Sequence, residues 1–307
     1  MRYVSTRDSS LRYTAAQAIA QGLSRDGGLF LPETIPQLSA AELEALTHLS
    51  YVERAVRVMK LYLDEFTEDE LREYAQKAYG PAKFDTSAVA PLAEIDDKTS
   101  VLELWHGPTC AFKDIALQML PYLLTASLKK TGEEKTACIL VATSGDTGKA
   151  ALEGFRDVPH TKILVFYPDG GVSDIQKLQM VTQEGGNVGV CAVRGNFDDA
   201  QTGVKKMFSD AALRAELAER GCFFSSANSI NWGRVLPQIV YYISAWCDLR
   251  AAGSIAAGEA VNFCVPTGNF GNILAAFYAK RMGLPVGKLI CASNANNVLT
   301  DFITTGT

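Results

Sequence analysis

The chain has 307 residues, of which 48% are apolar and 21% charged, and its formal net charge is −5. This length and composition fit a protein with two domains and a large buried core. The acidic balance, without a cluster of basic residues, argues against binding to nucleic acid or to an anionic membrane surface. No apolar run approaches the roughly 20 residues that span a bilayer. The N-terminus has no apolar signal core, so we expect a cytoplasmic protein.

Residues 1–88 are predicted to form a mostly helical N-terminal domain. Ser39 and Thr67 each precede a helical pattern and have a glutamate three residues further on, which predicts a capping box at each helix start. A helical pattern over 15–23 ends at the glycine-containing turn SRDGG, and another covers 51–66.

Residues 89–307 change to short apolar runs that alternate with helical patterns, which is typical of a buried, largely parallel sheet flanked by helices. Strands are predicted over 137–141, 162–166, 187–193, 261–265 and 288–292. Helices are predicted over 147–155, 198–220, 232–252 and 271–282. The fold class is therefore α/β, and ligands of such sheets bind beyond the carboxyl ends of the strands.

Two glycine-bearing loops follow predicted strands and precede helices. The 144–148 loop reads SGDTG, and the 268–272 loop reads GNFGN. Glycines let the backbone approach an anion, whose charge is favoured by free N–H groups at a helix start. The alternative for each loop is a tight connection in which only glycine fits.

Lys113 lies between the loop HGPTCAF and a helical pattern that contains Pro121. We expect the proline to kink this helix or displace its start, and Asp114 to cap it. A lysine at the positive end of a helix in apolar surroundings has a lowered pKa, and imine formation requires the neutral amine. The alternative is a solvated lysine at a helix entrance.

The segment 225–234, SSANSINWGR, combines small hydroxyl and amide side chains with one arginine. This set suits hydrogen bonding to phosphate or carboxylate oxygens, although it could equally cap the helix that starts at Trp232. The three histidines are far apart in sequence and no CxxC pair occurs, so we expect no metal site. Cys138 and Cys264 lie within apolar runs and are expected to be buried thiols.

The segments HGPTCAFKD, ATSGDTGKAA, SSANSINWGR and PTGNFGN, in this order, resemble threonine synthases. The N-terminal YVSTRD and QGLSRDGGLFLPETIP fit the same family, so that the resemblance covers essentially the whole chain. It implies the fold type II of pyridoxal-phosphate enzymes, similar to the tryptophan synthase β chain, with a smaller α/β subdomain inserted at about 110–225. The family continues well beyond this pattern, so we expect the chain to lack a C-terminal part that carries a hydroxyl residue facing the pyridine nitrogen.

The resemblance also implies roles for individual residues. Lys113 would hold pyridoxal 5'-phosphate as a Schiff base, and Asp146 would lie near the cofactor ring, where related enzymes often have asparagine. Ser144 and Thr147 would lie near the substrate. The cofactor phosphate would be bound by backbone N–H groups of Gly268, Asn269, Phe270, Gly271 and Asn272. The phosphate of O-phospho-L-homoserine would be bound by Asn228, Ser229, Asn231 and Arg234.

The implied reaction is that of a lyase in threonine biosynthesis: O-phospho-L-homoserine and water give L-threonine and phosphate. Lys113 would remove the Cα proton, phosphate would leave from Cγ and water would add at Cβ. One alternative is another fold type II lyase, such as a serine or threonine dehydratase, against which the helical N-terminal region and DGGLFLP argue. The other is a non-catalytic homologue that binds the cofactor, against which the joint retention of Lys113 and both loops argues. We expect a monomer or homodimer.

Overall fold

The computed structural model describes residues 1–295 and 297–306. Its helices and strands follow one another along the chain as β1 Tyr3–Ser5, α1 Ala15–Gln21, β2 Phe30–Pro32, α2 Ala40–Leu46, α3 Tyr51–Tyr62, α4 Glu68–Tyr79, β3 Leu92–Asp96, β4 Thr99–Leu102, α5 Lys113–Thr131, β5 Thr136–Ala142, α6 Asp146–Phe155, β6 Thr161–Pro168, α7 Asp174–Val181, β7 Val188–Val193, α8 Phe197–Ser209, α9 Ala211–Glu219, β8 Cys222–Ser226, α10 Trp232–Ala251, β9 Val261–Pro266, α11 Gly271–Arg281, β10 Val286–Ala292 and α12 Val298–Thr305.

The central sheet has four parallel strands in the order β7-β6-β5-β8. Strand β5 lies inside it and is apolar on both faces. Ile139 and Val141 belong to the main core, while Cys138 and Leu140 belong to a second cluster with Val204 of α8. A parallel sheet covered on both faces is the arrangement that the continuous apolar runs predicted.

Strands β9 and β10 form a separate parallel pair. Phe263 and Leu289 are opposite each other and pack against the main core, whereas the next pair in register, Cys264 and Ile290, is exposed. The expectation that Cys264 is buried is therefore wrong. Alternate residues of a strand point to opposite faces, and no described residue covers the outer face of this pair.

The N-terminal helices begin where their caps predicted. Glu42 donates its backbone N–H to the Ser39 side chain, Glu70 does so to Thr67, and both capping boxes are complete. Helix α1 ends earlier than expected, because Gly22 adopts a positive φ of 72° before the SRDGG turn is reached. The antiparallel pairs β1–β2 and β3–β4 were not predicted, since strands of three to five residues carry little periodicity.

The helix predicted over 198–220 is two helices, α8 and α9. Asp210 lies between them with extended backbone, and its side chain accepts a hydrogen bond from the N–H of Leu213. An N-cap residue has non-helical backbone, so Asp210 ends one helix as it starts the next.

The N-terminal region shares its core with later helices. Trp232 at the start of α10 packs against the rings of Tyr3, Tyr62 and Tyr278. The guanidinium of Arg54 on α3 is paired with Asp248 of α10 at 2.6 Å. The proposed boundaries at residue 88 and at about 110–225 stay predictions. Within the described ranges, no helix is both long and apolar enough to cross a membrane.

Candidate active site

Lys113 is the first residue of α5 and is largely enclosed, with 14% of its side chain exposed. Its Nζ atom lies 4.0 Å from Oδ2 of Asp146. Burial, with a further contribution from the nearby cations Arg234 and Lys149, lowers the pKa of Lys113 to about 8, although Asp146 opposes the shift. The lowered pKa expected from the sequence is confirmed.

The loop before Lys113 is folded by Asp114, which is fully buried. Its carboxylate accepts hydrogen bonds from the backbone N–H of Thr109 at 2.8 Å and from the Thr109 hydroxyl at 2.7 Å. Helix α5 starts without a side-chain cap and continues through Pro121. The expectation that Asp114 caps the helix is therefore wrong, because its carboxylate is turned back to the loop.

The 144–148 loop is shaped by glycine and by Thr143. The Thr143 hydroxyl accepts from the N–H groups of Gly145 and Gly148, both at 2.9 Å. Gly145 has a φ of 135°, and a Cβ there would clash with Gln176 of α7. Gln176 donates its amide to Oδ1 of Asp146 at 2.7 Å. Asp146 is thus an acceptor held between α7 and Lys113.

Arg234 is a buried cation with few hydrogen-bond partners among the described residues. It is 2% exposed, and its Nη1 donates to the carbonyl of Ala227 at 2.6 Å. Its Nε has no hydrogen-bond partner, and no ion pair involves it in the ranges that the structure covers. Burial lowers the pKa of Arg234 to about 10. A desolvated guanidinium with an unused donor is suited to an anionic ligand.

The other polar residues of segment 225–234 have different roles: one caps helix α10, and others remain available to the site. The amide of Asn231 donates to the carbonyls of Ile19 at 3.1 Å and Ser226 at 2.9 Å, and its oxygen accepts from the N–H of Gly233. This supports the capping alternative for Asn231. Asn228 donates to the carbonyl of Ala142 at 3.2 Å, which leaves its side-chain oxygen available. Substrate binding by these residues stays a prediction.

The 268–272 loop leads into α11 without a side-chain cap. Its five backbone N–H groups donate no hydrogen bond to any described residue. The side-chain oxygen of Asn272 instead accepts from the hydroxyls of Tyr241 and Tyr242. A Cβ on Gly271 would lie 3.0 Å from the Ser229 side chain, so this loop contacts segment 225–234. The structure therefore brings the two predicted anion-binding segments together.

Sequence reasoning missed several residues of this site. Lys149 of α6 and Thr109 meet through a hydrogen bond, Gln176 holds Asp146, and Tyr241 and Tyr242 hold Asn272. Lys149 did carry a signal, because it stands alone in the otherwise uncharged run TGKAAL. Gln176 carried only the signal of a capping box, SDIQ, which it also forms.

The sequence of this chain is similar to those of known proteins. The family model for the threonine synthase N terminus matches residues 2–79. The chain is 43% identical to human threonine synthase-like 1, covering 99% of this chain and 42% of that one. It is 41% identical to threonine synthase of Pseudomonas aeruginosa, covering 99% of this chain and 62% of that one. The chain thus spans less than two thirds of these curated relatives.

Solved structures agree over the whole chain. The pyridoxal-phosphate-bound threonine synthase from Brucella melitensis is 43% identical with a TM-score of 0.88, covering 100% of this chain and 63% of that one. Threonine synthase from Escherichia coli is 34% identical with a TM-score of 0.86, covering 100% of this chain and 67% of that one. The fold expected from the sequence, fold type II, is confirmed.

Proposed function

The chain belongs to the threonine synthase family, and from this premise we propose that it converts O-phospho-L-homoserine and water into L-threonine and phosphate, with pyridoxal 5'-phosphate on Lys113. In this proposal the chain serves threonine biosynthesis as a carbon–oxygen lyase. A cytoplasmic location, a monomeric or homodimeric state and the domain boundaries given above belong to the same proposal.

The residues present fit the proposed cofactor. With a pKa of about 8, Lys113 is a neutral amine in about one molecule in ten at pH 7, which permits bond formation to an aldehyde. The unpaired N–H groups of the 268–272 loop, at the start of α11, fit a phosphate group. When bound, the cofactor supplies an electron sink for the carbanion formed at Cα of an amino acid.

The chain's own side chains then supply proton transfer and binding. Lys113, as a neutral amine, removes the proton at the substrate Cα and can return it. Asp146 lies close enough to stabilise the ammonium form that results. Its second oxygen is held by Gln176, which fixes the direction of the carboxylate.

In this proposal, Arg234 determines the substrate specificity. Its buried guanidinium has an Nε atom without a hydrogen-bond partner. It is near enough to Lys113 to lower the lysine's pKa, so the two residues belong to the same site. A neutral amine beside a desolvated cation suits an amino acid that also bears a phosphate. We assign the substrate phosphate to Arg234 together with Asn228 and Ser229, and Ser144 and Thr147 to the rest of the substrate. Asn231 then supports this set by capping α10.

A dehydratase acting on serine or threonine is the main alternative, and Arg234 argues against it. Such a substrate has no phosphate, so the buried cation would stay unpaired through the reaction, at a cost in free energy. A non-catalytic homologue is less well supported, because Lys113 keeps the lowered pKa that proton abstraction needs.

The test is an assay of the purified chain with added cofactor. We expect phosphate release from O-phospho-L-homoserine and an absorption band of the bound cofactor that is absent in Lys113→Ala. Release of ammonia and a keto acid from threonine, without phosphate release, would refute the proposal in favour of a dehydratase. A chain that binds the cofactor but turns over neither substrate would instead support the non-catalytic alternative.

A further inference from the structure

Lys149 is a buried lysine that the proposed reaction does not use. It lies on α6, three residues after Asp146, and only 8% of it is exposed. Its Nζ atom donates to the backbone carbonyl of Thr109 at 2.7 Å, and no carboxylate pairs with it in the ranges that the structure covers. A buried ammonium group without a carboxylate partner is costly and needs an explanation.

The carbonyl of Thr109 belongs to the loop that carries Lys113. The same residue donates its N–H and hydroxyl to the buried carboxylate of Asp114. Thr109 is therefore held from two directions, by a cation on α6 and by an anion on α5. These bonds fix the loop against α6, the helix that also presents Asp146 to Lys113.

The charges that act on Lys113 come from two other helices: α6 contributes Asp146 and Lys149, and α10 contributes Arg234. The buried carboxylate of Asp114 on α5 interacts with Lys149 and Arg234 instead. Asp146 is the charge that favours the ammonium form, and the two cations oppose it. Lys149 thus acts on Lys113 in two ways, through the loop and through space.

We propose that Lys149 is a positioning residue for Lys113, which holds the 107–112 loop through the Thr109 carbonyl and places a second positive charge beside the reactive amine. This inference rests on the proposed function only in treating Lys113 as the reactive lysine. A merely structural lysine would hold the loop without affecting the protonation of Lys113.

The test measures that protonation in the cofactor-free chain. Lys113 is modified with an amine-reactive acetylating reagent from about pH 6 to about pH 11, and its modification rate is followed by peptide mass spectrometry. The wild-type rate should have a midpoint near pH 8. In Lys149→Met the midpoint should rise by about half a unit or more, which lowers the neutral fraction at pH 8 about twofold.

Three further variants make the result decisive. Lys149→Arg keeps the charge and a donor and should restore the wild-type midpoint, whereas Lys149→Gln keeps a donor without the charge and should show the raised midpoint. Lys205→Met removes an exposed lysine from α8 and should leave the midpoint unchanged. If Lys149→Met does not fold, the Lys149→Gln midpoint decides the question.

A wild-type midpoint in Lys149→Gln and in any folded Lys149→Met would overturn the inference. Labelling needs neither substrate nor cofactor, so this outcome is distinct from failure of the proposed function, which the phosphate-release assay decides. A raised midpoint in a chain that releases no phosphate would support the role of Lys149 and reject the proposed reaction.

Discussion

The two sides of the candidate active site are stabilised in different ways. The lysine side, made of Thr109, Lys113, Asp114 and Lys149, pairs most of its polar groups within the protein. The arginine side, made of Ser229, Arg234 and the 268–272 loop, keeps a buried Nε and a row of backbone N–H groups without partners in the described residues. The lysine side is thus organised before any ligand arrives, whereas the arginine side has donors that a phosphate would satisfy.

The largest expected contrast is between two buried arginines. Arg54→Met should lower the free energy of unfolding by about 3 kcal/mol, because Asp248 and the carbonyls of Leu46 and Thr47 lose their donor. Arg234→Met should change it by less than about 1 kcal/mol, since the loss of one bond to Ala227 is offset by removal of an unpaired buried charge.

Arg234→Met should instead weaken binding of phosphate-bearing ligands about 10- to 100-fold, which is the worth of a hydrogen bond to a charged group. Urea denaturation and calorimetric titration with inorganic phosphate measure the two effects. Equal losses of stability in both arginine variants, with unchanged phosphate affinity, would mean that Arg234 is only structural.

The close packing of α5 against α6, which supports the lysine side, can be tested with a pair of glycines. A Cβ on Gly154 of α6 would clash with the backbone carbonyl of Leu117 on α5. Gly154→Ala should therefore lower the free energy of unfolding by about 2 kcal/mol. Gly203 of α8 has open space around it, so Gly203→Ala should raise stability by about 0.5 to 1 kcal/mol. Similar effects of both substitutions in chemical denaturation would contradict this packing.

Burial of Lys113 should cost stability in a pH-dependent way. Its pKa is about 8 in the folded chain and 10.5 ordinarily, so between these values the unfolded chain binds more protons and stability rises with pH. Below about pH 8 the full cost of the buried cation is present. Lys113→Met should thus be more stable than wild type by about 2 kcal/mol at pH 7, and this advantage should vanish as pH rises to about 10.5.

Denaturation of the cofactor-free proteins across this pH range measures the difference. Lys205→Met, which removes an exposed lysine, should show no such pH dependence. A stability gain in Lys113→Met that stays constant with pH would show that burial does not lower the pKa of Lys113.

The smallest expected effect concerns the loop on the lysine side. Thr109→Val keeps the shape of the side chain but removes the hydroxyl that donates to Asp114 at 2.7 Å. One hydrogen bond to a buried carboxylate is lost, so the free energy of unfolding should fall by about 1.5 kcal/mol. Thr182→Val, at an exposed threonine whose hydroxyl bonds to the Leu178 carbonyl, should change it by less than about 0.5 kcal/mol. Thermal melts that rank the two variants in the opposite order would contradict a paired lysine side.

The sequence by itself determined the local parts of this protein. Of the six parallel strands in the described residues, all but β8 showed as continuous apolar runs. Capping boxes at Ser39 and Thr67 marked helix starts, and Lys113 stood out at the junction of a loop and a helix. These features depend on residues within a few positions of one another, so their patterns are visible along the chain. The split at Asp210 was also local, and the cap that marks it was present in the sequence.

Only the tertiary structure decided how the side chains of the site are used. Lys149 and Thr109 are 40 positions apart, Gln176 and Asp146 are 30 apart, and Asn231 reaches the carbonyl of Ile19 over 212 positions. A buried polar group has a hydrogen-bond partner within the protein only if a distant part of the chain packs beside it. Otherwise its donor or acceptor remains available to a ligand. Lys113 could therefore be identified from the sequence, whereas the contrast between a paired lysine side and an unpaired arginine side could not.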